Sequence, residues 1–278
     1  MTGYYDVPLL KKPVWTWEVP LYFFVGGAAG AAAMIGVAAD LGGAKRTLVR
    51  DARLIAFGGA TLSMPLLIAD LGRPARFLNM LRVFKPRSPM SVGAWTLAVF
   101  GGASALAAAG AGTAPGRPPG TAARLAAIMS AATGLVMATY TGVLIGATAI
   151  PVWKKHVAVL PIHFGASALA SAASLLELLG HDERALASLA TAAAAFETWT
   201  GWRIEAKGGV GSEPLMHGAT GITTRIGGMF SGPLPLILRV IGSRNARTAA
   251  AASALLGSLI TRIAWIEAGK SSADAARP

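Results

Sequence analysis

Long runs almost free of charge alternate along this chain with short charged or proline-containing breaks. Residues 20–39 carry no charge and end at Asp40, and residues 54–69 follow Arg53 and end at Asp70. Two further uncharged runs, 88–116 and 125–153, are separated by the turn-like stretch from Thr113 to Thr121. A membrane-crossing helix needs roughly 20 apolar residues, so each run predicts a span. A fifth span runs from about Val157 to Leu179 and stops at Gly180. The last three are less clean: the sixth contains Glu197, the seventh Arg225 with a Gly227-Gly228 pair and Pro233 and Pro235, and the eighth Arg262. The pattern predicts an all-α integral membrane protein with eight transmembrane helices in one domain over residues 1–278, both termini on the same side. The spans fall at about 20–40, 53–70, 91–112, 125–150, 157–179, 185–202, 215–238 and 247–268. Pro65 predicts a kink near the exit of the second span, and the seventh span is expected to be irregular.

Composition supports that picture and narrows the chemistry. Hydrophobic residues make up 54% of the chain and charged residues only 14%, against about a quarter charged in a typical soluble domain. The net charge of +12 would suggest nucleic acid in a soluble protein. In a membrane chain it means basic loops against anionic lipid, so the bilayer is the expected partner and nucleic acid is not. No cysteine is present, which excludes disulfides, self-coordinated iron–sulfur clusters and cysteine-type zinc sites. The four histidines are scattered, which argues against several haems; no intrinsic haem or metal site is expected. The first 18 residues lack the basic start and small-residue cleavage site of a signal peptide, so the first helix is expected to be retained. Repeated small residues, Gly26-Gly27 with Gly30, Gly58-Gly59, Gly101-Gly102 and the Gly142/Gly146 pair, suit close helix approach in lipid.

Eight spans place residues 1–18, the loop 70–90, the segment 151–156, the loop 203–214 and the tail on one face. All seven tryptophans (Trp15, Trp17, Trp95, Trp153, Trp199, Trp202 and Trp265) fall toward that face, as do Tyr4, Tyr5, Tyr22 and the span-four Tyr140. A lipid-anchoring belt marks both interfaces; a one-sided set points to a ligand pocket, a protein partner or both. Lysine and arginine divide too evenly between the two sides to orient the chain. The longest loop on the aromatic face is strongly basic, with Arg73, Arg76, Arg82, Lys85 and Arg87. If 75–84 is a short interfacial helix, Phe77, Leu78, Leu81 and Phe84 form one apolar stripe. The loop reads either as a solvated basic segment touching headgroups or as a lid over a redox pocket or anionic partner.

Several motifs resemble the NrfD family, the membrane subunit of polysulfide-reductase-like complexes. They are Tyr4-Tyr5-Asp-Val-Pro8, Lys12-Pro13-Val-Trp15 and Pro20-Leu-Tyr22-Phe-Phe-Val-Gly26-Gly27 at the start. Most specific is Asp70-Leu-Gly-Arg-Pro74 followed by Arg76-Phe77-Leu-Asn79-Met-Leu-Arg82 and Ser88-Pro-Met-Ser91. Tyr140-Thr-Gly-Val-Leu144 through Pro151-Val-Trp153, and Arg262 with Glu267-Ala-Gly-Lys-Ser271, complete the likeness. The resemblance implies a multi-pass subunit of a prokaryotic cell (inner) membrane that binds menaquinone or ubiquinone as substrate. It further implies an iron–sulfur electron-transfer partner and, beyond it, a molybdopterin-type catalytic subunit. Since no cysteine is present, electrons must come from or go to another chain, while this one supplies the site and handles the quinone protons.

With that resemblance, Tyr140 and Asp70 are the candidate catalytic groups. Tyr22, Glu18, Arg73, Arg76, Tyr140 and His163 are candidates for the quinone pocket. A phenol can hydrogen-bond a quinone carbonyl while its ring packs on the head group. Glu18 is the nearest ionisable residue at the start of span one. Asp70 either pins the loop by pairing with Arg73 or accepts a proton; His163 is either a pocket residue or a packed core histidine. Glu197, Arg225 and Arg262 are costly in-span charges, about 2.5–3.5 kcal/mol each at mid-span on insertion scales. They should face the interior and pair, as static bridges or as a proton path, with Glu197 joined to Arg225 or Arg262. Asp40 reads as a helix-end charge. The in-span charges, glycines and broken seventh span would also serve a small-molecule or ion transporter, although the two halves show no repeat that aligns. A passive membrane anchor of a redox enzyme is a third reading.

Overall fold

A computed structural model describes residues 10–112, 120–209 and 211–275. Tyr4, Tyr5 and most of the turn between the third and fourth expected spans lie outside the described residues. Among the described residues every regular element is a helix. The first half holds α1 (Glu18–Leu41), α2 (Arg46–Asp70), α3 (Pro74–Met80), α4 (Pro89–Gly112), α5 (Thr121–Gly146) and α6 (Pro151–Lys155). The second half holds α7 (Leu160–Leu178), α8 (Arg184–Ala206), α9 (Glu213–Met216), α10 (Gly218–Ser231), α11 (Pro233–Ile241) and α12 (Arg244–Ala275). Five of these, α1, α2, α4, α5 and α12, are long and apolar enough to cross a membrane. Proline stands in the first two positions of α3, α6, α7, α9 and α11, where its missing N–H leaves no helical bond unmade.

The helices form two groups. In the first, α1 packs on α2 and α5, and α4 packs on α2 and α5. In the second, α7 packs on α8 and α12, while α10 and α11 lie against α12. Helix α1 joins the groups through α7 and α12, and α5 also meets α7. Apolar nearly all round, α1 is buried along most of its length, as a helix without a polar face must be. Its closest approach is to α5: a Cβ built on either Gly30 or Gly134 would strike the other's backbone carbonyl. Gly26, Gly59, Gly142 and Gly146 also sit in tight contacts, whereas Gly58, Gly101 and Gly102 face open space. The expected packing role therefore fails at those three.

The helix bounds correct several expectations. Helix α2 begins at Arg46 rather than near 53, because the charges in its first turns are paired. Arg53, buried, bonds Asp40 at 3.0 Å, and Asp51 accepts from His181 at 2.9 Å. Asp40 is thus an anchor of the α1–α2 hairpin. Helix α2 continues through Pro65 to Asp70. The fourth expected span stops at Gly146 and restarts as α6 after Ile150, whose place before Pro151 disfavours helical geometry. The seventh breaks at Gly232 into α10 and α11, with Arg239 of α11 held bidentate by Glu177 at 2.6 and 2.7 Å. Helix α12 has 32 residues, about 48 Å at the helical rise, and so outruns a hydrocarbon core of about 30 Å. Near its end Asp274 bonds Lys12 at 2.5 Å.

The loop after α2 also differs. Helix α3 ends at Met80, and of the expected stripe only Phe77 is buried; Leu78 and Phe84 are exposed. Phe84 meets Trp95 edge-on instead, and the Lys85 N–H donates to Ser91 Oγ at 3.0 Å as the chain turns into α4.

Candidate functional site

Four helices and the adjoining loop close a pocket at one end of the first group. Helix α1 supplies Val19, Tyr22 and Phe23; α2 supplies Leu66, Leu67 and Asp70; α4 supplies Met90, Gly93 and Ala94; α5 supplies Tyr140 and Leu144. Trp15, Leu71 and Met80 complete the lining. The cavity is about 50 Å³, room for a few waters. Tyr22 and Tyr140 are both buried, and neither phenol has a hydrogen-bond partner among the described residues. The Tyr140 ring lies so close to Gly93 that a Cβ there would overlap its ring carbons and hydroxyl. Gly93 thus sets where that hydroxyl sits.

Asp70 is half-buried at the C-terminal end of α2. The expected pairing with Arg73 does not form among the described residues. Gly72, at φ +66°, turns the chain, and Arg73 leaves exposed as the residue that caps α3. Arg76 is exposed too, but its guanidinium donates to the Leu71 carbonyl at 3.1 Å and so braces a wall residue. Glu18 does not line the pocket. It accepts a hydrogen bond from Thr16 and lies near enough to Asp70 for the two charges to act on each other.

Trp15 stacks on Trp153 with ring centroids 5.5 Å apart, and Trp153 donates its indole N–H to the Trp265 carbonyl at 2.8 Å. Trp95 packs on Phe84, while Trp17, Trp199 and Trp202 are exposed. The tryptophans therefore divide between a buried brace and a rim. Beside the brace, His156 is buried with Nε2 3.1 Å from Ser212 Oγ and its ring edge-on to Trp265. Burial first, then the Lys155 and Lys207 charges, hold its pKa down at about 4.

His163 is not in the pocket with the tyrosines. Its Nδ1 meets Thr200 Oγ1 at 2.8 Å, and it faces a separate cavity of about 390 Å³ in the second helix group, with Glu197 and Arg225. The expected ion pairs there are absent among the described residues. Arg262 is buried and donates to Ser167 Oγ and the Phe164 carbonyl, both at 3.1 Å, with its guanidinium 4.2 Å above the Phe164 ring. Backbone, hydroxyl and ring thus stand where a carboxylate was expected. Arg225 is exposed at the cavity rim, and buried Glu197 makes no close hydrogen bond but lies within the influence of the Arg262 charge and the Ser231 and Ser167 hydroxyls.

Two residues had no signal in sequence. Gly93 matters only because Tyr140 arrives from another helix. His156 resembled any lone histidine until α9 brought Ser212 against it.

The helical architecture and its apolar spans define an integral membrane protein, with a phenol-bearing pocket set beneath a basic loop. The family model for polysulfide reductase, of the NrfD type, matches residues 1–276, and the chain belongs to that family. The family comprises membrane subunits of redox enzyme complexes, which generally partner iron–sulfur and molybdoenzyme subunits. No curated protein matches the chain.

Proposed function

We propose that this chain is the quinone-reactive subunit of such a complex, in a prokaryotic cell membrane, with the Tyr22–Asp70–Tyr140 pocket as its head-group site. One observation carries the reading: three polar side chains from α1, α2 and α5 converge on one otherwise apolar pocket. The tyrosine hydroxyls are free to donate to a quinone carbonyl. Asp70 is placed to take or return a proton at the end of the cavity nearest the loop. Oxidation of a quinol releases two electrons and two protons. The electrons pass to an iron–sulfur partner, since this cysteine-free chain can hold no cluster of its own, and a molybdopterin-type subunit lies beyond it.

In this reading the eight spans are α1, α2, α4, α5, α7, α8, the broken α10–α11 pair and α12. The Lys12–Asp274 ion pair supports placing both ends of the chain on one side. Met80 and Met90 stand in the wall, and head-group entry into so small a cavity requires these unbranched, adaptable side chains to yield.

Gentle purification should recover an iron–sulfur protein with the chain; a solitary stable protein contradicts the proposal. In assembled complexes, Tyr140→Phe and Asp70→Asn should each lower quinol-linked turnover. Wild-type rates in both would remove this pocket as the site.

A further inference from the structure

The loop that joins α3 to α4 folds around a pocket of its own, about 340 Å³, within the roughly 300–1,000 Å³ usual for small-molecule sites. Its polar wall holds Asn79, Lys85 and Ser88. Among the described residues the Asn79 amide and the Lys85 ammonium have no acceptor, and Ser88 Oγ accepts from the Ser91 N–H at 3.4 Å with its own proton uncommitted. The loop is held in place around these groups. The Lys85 N–H donates to Ser91 Oγ at 3.0 Å, Ser91 Oγ donates to the Val83 carbonyl at 3.4 Å, and the Ser88 N–H donates to the Lys85 carbonyl at 3.0 Å. The pocket therefore offers fixed donors and no acceptor to use them.

Charge around it has one sign. Arg82 and Arg87 flank Lys85, all three are exposed, and none joins an ion pair among the described residues. No aspartate or glutamate occurs between Asp70 and Glu177. Asp70 itself lines the tyrosine pocket, with Met80 and Met90 standing in the walls of both. Free N–H and O–H donors beside an unpaired ammonium suit an anion with several oxygens, such as a phosphate.

The place of the pocket in the fold sets the source of that phosphate. Met90 and Ser91 on its wall are among the first residues of α4, a helix long and apolar enough to cross a membrane, so the pocket lies where headgroups lie. Trp95, about one turn further in, meets Phe84 edge-on at 6.2 Å, and tryptophan is enriched at that depth. Val83 and Met90 on the wall are exposed, as is Phe84 beside them, and together they give acyl chains an apolar surface. A soluble phosphate would leave that apolar half unused.

We infer that this pocket binds the headgroup phosphate of an anionic phospholipid, with Lys85, Ser88 and Asn79 on its oxygens and the acyl chains along Val83, Phe84 and Met90. A zwitterionic lipid is disfavoured, because its amine finds no carboxylate there. The inference stands independently of the assignment of the tyrosine pocket.

The test uses the assembled complex in detergent and a phosphatidylglycerol with a diazirine near the carboxyl end of one acyl chain, with mass-spectrometric mapping of the labelled peptides. Label is expected on 78–95. Excess dioleoyl phosphatidylglycerol should displace it, while dioleoyl phosphatidylcholine and, at matched ionic strength, inorganic phosphate should not. Lys85→Gln should raise the phosphatidylglycerol needed for half-displacement about fivefold, the share of one cation at an anionic lipid surface. Lys85→Arg should keep the wild-type value. Arg124→Gln, which removes an equal charge at the start of α5, should also leave it unchanged. Lys85 is exposed and bonds nothing through its side chain, so these complexes should assemble. The proposal is overturned if 78–95 takes no label, as when a protein subunit covers the loop. Displacement by phosphatidylcholine as effective as by phosphatidylglycerol overturns it too, as does displacement by inorganic phosphate, which would make the pocket a soluble-anion site. Equal weakening by Arg124→Gln and Lys85→Gln would reduce the effect to diffuse charge and sink the site.

Discussion

Gly93→Ala is the sharpest probe of the tyrosine pocket, because it adds one methyl and removes no polar group. The new Cβ would occupy the space of the Tyr140 ring carbons and hydroxyl. Either the ring swings or α4 retreats from α5. Forcing a methyl into a packed site costs about 1–3 kcal/mol. On the proposed assignment, a displaced phenol also forfeits its hydrogen bond to a bound carbonyl, about 0.5–1.5 kcal/mol, or roughly two- to tenfold in turnover. Gly93→Ala should therefore lower thermal stability in detergent and slow quinol-linked turnover at least as much as Tyr140→Phe does. Replacing Tyr140 with Leu in the Gly93→Ala background should restore stability, because the smaller side chain vacates the contested space, but leave turnover low. That departure from additivity is the signature of two residues in contact. A Gly93→Ala complex with wild-type stability and turnover would refute the reasoning, since the ring's position would then matter to neither.

Other expectations follow from the packing and from the buried charges. Gly30→Ala should lower the melting temperature of the purified complex, since its methyl meets the Gly134 carbonyl; an unchanged melting temperature would mean α1 and α5 are not held at this crossing. Arg262→Ala should destabilise by about 2–5 kcal/mol, because it empties a fully buried site and removes the bonds to Ser167 Oγ and the Phe164 carbonyl; an unchanged melting temperature would mean those contacts hold nothing. His156, neutral in the fold with its pKa near 4 against an ordinary 6.5, contributes stability that is fully present above 6.5. That contribution is lost as pH falls from 6.5 toward 4, because the unfolded chain binds the proton first. His156→Gln should flatten the stability profile across that window relative to wild type; parallel profiles would exclude the histidine as the cause.

Helix positions were legible in the sequence wherever an uncharged run was bounded by charge, as at Asp40 and Asp70. They were misjudged where charges satisfy one another: Arg53 looked like a boundary, yet its pairing with Asp40 lets α2 start earlier. The rule that an in-span charge needs compensation was sound in kind and blind to the partner. Arg262 takes a hydroxyl, a carbonyl and an aromatic face, none of which carries the sign that a search for a counter-charge looks for. Asp70 and Arg73 are three apart and read as neighbours, but a left-handed Gly72 intervenes and sends them different ways. Tyr22 and Tyr140 could be placed near one end of their spans by counting. Their meeting across α1 and α5 depends on the Gly30–Gly134 crossing, a pairing between glycines that no single-chain pattern singles out from Gly58, Gly101 or Gly102.

The same geometry bears on where quinone protons can go. Phe23 walls the tyrosine pocket on one side and packs against Phe164, their centroids 6.4 Å apart. Arg262 lies over the Phe164 ring, close to the bare backbone of Gly27. The polar cluster of His163, Thr200, Ser167, Ser258 and Arg262 therefore begins where an aromatic partition ends, and no hydrogen bond among the described residues crosses it. Aromatic carbons neither donate nor accept a proton in such a chain. Asp70, half-buried at the loop end of the pocket, leads away from that partition. On the proposed assignment, proton exchange at the tyrosine pocket would run toward the basic loop and not through Glu197. Turnover there should depend on Asp70 and be indifferent to Glu197→Gln, whereas a path through the second helix group would make Glu197→Gln as damaging as Asp70→Asn.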